Sequence, residues 1–187
     1  MTIFLDLAGS FIVRASMVTV MLGVTVTMNN ALYETTQRTN TAATVATVGE
    51  IIYTDLNQCV ASAFTTSNAD YMLFNADTSM VGSPPISIIY DATETYTTTV
   101  WDPAAQENKT VTLHRLYRTA GTSPRVLISD NLLSVSFKYF NTDGQQILSS
   151  PGQVDAIRVM LIAKIEGVNN GITTSLSDRK ANPPNLN

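Results

Sequence analysis

One cysteine, one histidine and one tryptophan in 187 residues remove several classes of function at once. A single Cys59 cannot form an intrachain disulfide, and no Cys-x-x-Cys-His run exists to attach a c-type haem. His114 has no cysteine or second histidine at ligand spacing, which excludes a familiar zinc set. As a lone residue in a strand, it reads as a sheet position rather than a catalytic base. Charge is also scarce: 14% of residues are charged, only four are lysines, and the net charge is −4. Nucleic acid requires a basic face that this chain lacks, and an anionic membrane surface is a poor partner for its soluble part. The EF-hand pattern is missing too, since the Asp-Gly at 143–144 opens no 12-residue loop ending in Glu. No enzyme is expected, and no cofactor.

Proline is missing where it would matter most. The chain opens MTIFLDLAGSFIVRASMVTVMLGVTVTM, apolar apart from Asp6 and Arg14, and runs on into NNALYETTQRTNTAATVATVGEIIYTDLNQCVASAF without a proline. Ala15 to Tyr33 is 19 residues without a charge, long enough to cross a bilayer as a helix. Farther on, Val45, Val48, Ile52, Leu56, Cys59 and Ala63 recur at steps of three or four, the stripe of an amphipathic helix. The usual stop signals first cluster at 82–85, and TTSNAD at 65–70 supplies turn residues. The pattern predicts one helix over 1–64, roughly 90 Å long at helical rise. So small a remainder of chain cannot cover it, which leaves lipid or copies of itself to bury its apolar half. The segment 29–44 is polar and threonine-rich, so its helical order depends on neighbours. A cleaved secretory signal fits poorly, because its charge pattern is wrong and the helical periodicity continues.

From 65 to 187 the sequence predicts an antiparallel β-rich head, giving an α+β fold with the second half of the helix packed on the sheet. Tyr71–Asn75, Ile86–Tyr90 and Thr95–Trp101 are short runs rich in β-branched and aromatic residues. A turn at 102–108 precedes Lys109–Tyr117, where Val111, Leu113 and Leu116 do not share one parity, so a bulge is expected near Arg115. After a turn at 119–124, Val126–Ile128 leads into Leu132–Phe140. There Leu133, Val135, Phe137 and Tyr139 are expected on one face and Ser134, Ser136 and Lys138 on the other. Asn141-Thr-Asp-Gly144 is a hairpin signal, Val154–Glu166 alternates again, and Ile172–Ser177 closes the sheet.

These two halves together resemble the type IV pilins and type II secretion pseudopilins. Mature chains of those families open with a hydrophobic run broken by one carboxylate at the fifth position. TIFLDL supplies it at Asp6 when counting starts from Thr2. The chain differs in carrying Asp rather than Glu, in having no basic leader ending in glycine, in placing Arg14 inside the run, and in lacking the helix-bending proline. The second half is similar to the C-terminal hairpins of J- or W-type pilin-like proteins, through Leu133, Phe137 to Gly144, and Ile157-Arg-Val-Met-Leu-Ile162. The resemblance implies a filament subunit that is stored in an inner membrane, polymerises with itself through its N-terminal helix, and ends in an extracellular filament on the cell surface. It also implies an assembly ATPase, a platform membrane protein, a prepilin peptidase and an outer-membrane secretin as partners. A filament-forming subunit is favoured, with a minor tip-located pseudopilin or a single-pass anchored β domain as alternatives.

The assembly residues expected on this reading are Thr2, Phe4, Asp6, Leu7, Phe11 and Arg14. A carboxylate in the bilayer centre costs about 2.5–3.5 kcal/mol and needs a partner. Arg14 lies about 12 Å along the helix, too far to pair with Asp6 of its own chain. A neighbour staggered by that distance would bring its Arg14, or its N-terminal amine, to Asp6. The alternative places both charges at membrane interfaces, with Arg14 snorkelling. Phe4, Phe11, Tyr33 and Tyr53 read as packing rather than as an electron path. Cys59 reads as a small buried hydrophobe, against an intermolecular disulfide. Asn108-Lys-Thr110 is the sole N-glycosylation sequon.

Overall fold

The computed structural model describes residues 2–60, 66–77, 84–102, 106–141, 143–147, 156–167 and 171–181. Side chains are described within these ranges except at 2–6, 66, 67, 102, 156, 163–167 and 171–181. Among the described residues one helix, α1 (Thr2–Asn57), is followed by nine strands: β1 (Thr66–Ser67), β2 (Tyr71–Ala76), β3 (Ile86–Asp91), β4 (Thr95–Asp102), β5 (Glu107–Ala120), β6 (Val126–Phe140), β7 (Gln146–Ile147), β8 (Ala156–Gly167) and β9 (Gly171–Ala181). All pair antiparallel into one sheet of order β1-β2-β3-β5-β6-β8-β9. The strand β4 pairs with the first part of β5, while β3 pairs with its last residues. The fold is α+β: a long helix followed by an antiparallel sheet.

The helix ends at Asn57, short of the expected residue 64. The amides of Gln58 and Cys59 bond back to the carbonyls of Asp55 and Leu56, tightening the last turn. The chain then turns extended. Val60 N donates to Asn75 O and Asp77 N to Gln58 O, so Cys59 bridges Ala76 at the edge of β2. Cys59 is nevertheless fully buried. The apolar spacing carries past the helix because the core needs a small hydrophobe there, whichever backbone supplies it. Burial pushes its thiol up to about 12, so at neutral pH it is an inert, uncharged thiol. Ala63, the last residue of the expected stripe, lies outside the described residues, as do the expected turn positions 65, 82, 83, 103–105 and 142 and the expected strand position Val154.

The core forms where the second half of α1 meets the sheet. Val45, Val48, Ile52 and Leu56 are buried with Met72, Phe74, Ile88, Tyr90, Leu116, Leu132, Val135, Phe137, Ile157 and Leu161. Helix α1 lies mainly on β8 and β9 and touches β6. Phe74 and Tyr90 stack with centroids 6.4 Å apart. Half-buried Asn30, Glu34, Gln37 and Thr41 continue the same stripe toward the N-terminus at steps of four and three. The polar segment 29–44 is thus helical with one face against the head, which answers its weak intrinsic propensity.

A second, small cluster of Val100, Val111 and Leu113, with Tyr96 and Leu133 against it, lies apart from the first. Two bulges account for both. Strand β5 shifts register between His114 and Leu116, so Leu113 joins one cluster and Leu116 the other. Strand β6 shifts between Leu132 and Ser134, so Leu132 takes the core position expected of Leu133. Leu133 therefore parts from Val135, Phe137 and Tyr139, contrary to the strict alternation read from the sequence. The 141–144 turn is as expected. Gly144 N bonds Asn141 O, Gln145 N bonds the Asn141 Oδ1, and Gly144 has φ +74°, a conformation that favours glycine.

If Ile52 is the pivot of this core, Ile52→Ala should lower the unfolding free energy by about 2–5 kcal/mol through lost burial and a residual cavity. Denaturant unfolding of the detergent-solubilised protein, followed by near-UV circular dichroism, measures it. Ala46, on the open face of the same helix, supplies the control. Ala46→Ser should change stability by no more than about 0.5 kcal/mol.

Candidate assembly surface

From Leu7 to Asn29 the helix is exposed on every side, including Phe11, Ile12, Val13, Met17, Val18, Met21, Leu22, Val24 and Met28. Leu7 is 70% and Phe11 74% exposed, values of unpartnered side chains. Twenty-three such residues rise about 35 Å, against a hydrocarbon core of about 30 Å. The helix is long and apolar enough to cross a membrane. Such a surface is far larger than the scattered apolar residues of an ordinary monomer and must be covered to be stable.

Its polar atoms are arranged for that cover. Ser16, Thr19, Thr25 and Thr27 each donate a hydroxyl to the carbonyl four residues earlier, at 2.8–2.9 Å. Thr35, Thr39, Thr44 and Thr47 repeat the bond farther along. A hydroxyl bonded to its own helix needs no water, so the threonines enter a dry environment at little cost. Arg14 is the one charged side chain described within Leu7–Asn29, and it is exposed. Leu7, Phe11 and Arg14 share a helix face by their spacing of four and three. Thr2, Phe4 and Asp6 belong to the helical backbone, and their side chains lie outside the described residues. The structure therefore extends Leu7, Phe11 and Arg14 beyond the head and brings none of them to it.

The head is tied to this helix by a group that sequence reading missed. Asp55 is buried in the last helical turn, where the helix dipole disfavours an anion and no basic residue of that turn offsets it. The cation comes from the sheet instead. Arg118 on β5 grips the carboxylate with both arms, Nε to Oδ2 at 2.6 Å and Nη2 to Oδ1 at 3.0 Å. Tyr90 on β3 donates its hydroxyl to the same Oδ2. Burial and then the neighbouring carboxylate push the Tyr90 phenol up, and the Asp55 hydrogen bond pushes the Arg118 guanidinium up. The clue was an acid between Ile52 and Leu56 on an otherwise apolar stripe.

A second polar group fixes the β3–β4 connection at the surface. Glu94 accepts from Arg115 at 2.6 Å, Tyr117 at 3.1 Å and Arg125 at 3.4 Å, and Arg125 also bonds Asp91 at 3.1 Å. Arg125 lies over the Tyr117 ring and Arg115 over Tyr96. The hydrogen bond from Arg115, then that from Tyr117, holds the Glu94 carboxyl below its ordinary value. His114 is half-buried, with Nδ1 3.0 Å from the Ala92 carbonyl. Among the described residues no three His, Cys, Asp or Glu side chains gather to hold a metal. Asn108 is exposed near the start of β5, remote in sequence from the helix. No family model matches the chain, and no curated protein does.

Removing one partner of the buried pair should be costly. Asp55→Ala leaves Arg118 without its counter-ion and should lower stability by about 3 kcal/mol, whereas the paired change Asp55→Leu with Arg118→Met should recover most of that loss. Denaturant midpoints of the three proteins measure it. Glu94 gives a pH signature. Its folded value lies below the ordinary 4.5, so its stabilisation is complete above that pH and is lost as pH falls through the lower folded value. Glu94→Gln should flatten this part of the acid limb in thermal melts recorded across that window.

Proposed function

We propose that this protein is the structural subunit of a type IV pilus-like extracellular filament, polymerising through its N-terminal helix. The observation that carries the reading is the helix from Leu7 to Asn29, exposed on every side and largely apolar, with the hydroxyls of Ser16, Thr19, Thr25 and Thr27 bonded internally. In this reading the segment waits in the inner membrane and then moves into a filament core of like helices. Lipid contact is exchanged there for packed side chains and small residues such as Gly9, Ala15 and Gly23. Each subunit contacts the next through the same unlike pair of surfaces, which without closure gives an open filament.

Asp6 and Arg14 set the stagger. Both charges are expensive in a dry core, and a neighbour displaced by about 12 Å pairs them. Thr2, Phe4, Leu7 and Phe11 pack around that pair. The heads coat the filament, and the Asp55–Arg118 clamp keeps each head seated on its helix. Export and assembly would use the machinery of such systems: a prepilin peptidase, a platform protein, an ATPase and a secretin.

Imaging of material sheared from cells carrying the native chain should reveal filaments that contain it. Asp6→Ala and Arg14→Ala should each abolish them at normal expression, and exchanging the two charges, Asp6→Arg with Arg14→Asp, should restore them in part. Native protein confined to the membrane without filaments would overturn the proposal in favour of an anchored β domain.

A further inference from the structure

The sequon Asn108-Lys-Thr110 sits in an unusual setting. Asn108 pairs with Trp101 across the β4–β5 hairpin, and Thr110 pairs with Thr99. Directly opposed residues project from the same face, about 4.5–5.5 Å apart. Asn108, Thr110, Trp101 and Thr99 therefore form one exposed patch, while Lys109 lies on the other face. The patch carries no charge. Trp101 is the sole tryptophan of the chain and is 52% exposed. Among the described residues only Val126 and Leu127 are other large apolar groups exposed on the sheet. An indole open to water beside an accessible sequon is a platform without its cover.

We propose that Asn108 carries an N-linked glycan whose first sugars lie on the Trp101 ring. The uncharged, hydroxyl-rich patch suits a neutral sugar, whose apolar C–H face packs on an indole while its hydroxyls reach Thr99 and Thr110. In the attachment step the Asn108 amide nitrogen attacks the anomeric carbon of an oligosaccharide carried on a polyisoprenyl diphosphate. A C–N bond forms as the anomeric C–O bond breaks. The lipid diphosphate leaves with that electron pair, and the amide proton passes to a base of the transferase. Nothing is oxidised or reduced. The inference requires the head to be exported and is independent of polymerisation.

The test compares protein purified from its native cells with the Asn108→Gln and Thr110→Ala variants from the same cells. Peptide mass spectrometry should find a sugar mass on Asn108 in the native chain and on neither variant. Because Trp101 is the sole tryptophan, its fluorescence reports the contact directly. The acrylamide quenching constant should be roughly twofold lower for the glycosylated chain than for Asn108→Gln, since a sugar covers one of the two ring faces. An unmodified Asn108 in the native chain overturns the proposal. A glycan that leaves quenching unchanged overturns the role of Trp101.

Discussion

A helix that is apolar on every side for more than twenty residues cannot remain in water, and the rest of this molecule is arranged around that constraint. The first half of α1 has no partner among the described residues, while the second half has one stripe against the sheet. The change comes near Asn30. Beyond it, half-buried polar residues and then Val45, Val48, Ile52 and Leu56 face the head. The same helix is thus two solvents' worth of sequence joined without a break, and seven of its threonines suit both because their hydroxyls bond back to the helix.

Anchoring follows from the same logic. Apolar contact between helix and head is non-directional and does not by itself fix how the head is seated. The Asp55 carboxylate, gripped by Arg118 and Tyr90, joins α1 to β3 and β5 at a defined register. The net stability gained from such a pair is small, because the cost of desolvating both charges offsets their attraction. The Glu94 network does related work at the surface, fixing the β3–β4 connection against β5 with groups that water and salt screen.

Much of this was legible in the sequence, and the failures have physical causes. The helix and the main strands followed from periodicity alone, and mixed parity at Val111, Leu113 and Leu116 foretold the β5 bulge. The helix end was misplaced because Cys59 keeps the apolar spacing after the backbone has turned extended to bridge Ala76. Leu132 and Leu133 exchanged roles because a bulge flips side-chain parity and leaves no mark in composition. The clamp was hidden because its members are far apart in the chain: Tyr90 lies 35 residues and Arg118 63 residues from Asp55. Of the residues expected at an assembly contact, Leu7, Phe11 and Arg14 lie exposed on the helix, and the side chains of Thr2, Phe4 and Asp6 lie outside the described residues.

The central claim, that staggered copies of this helix cover one another, is tested most directly by disulfide trapping between positions 10 and 18, one helical turn along from Asp6 and Arg14, which keeps both charges in place. The two lie about 12 Å apart along one helix, too far for a bond within a chain. Native Cys59 is buried and stays silent. The double variant Ser10→Cys with Val18→Cys, oxidised in sheared filaments or membranes, should run as a ladder of multimers on a non-reducing gel, and neither single variant should cross-link. A monomer from the double variant, or dimers from the single ones, would contradict the staggered contact.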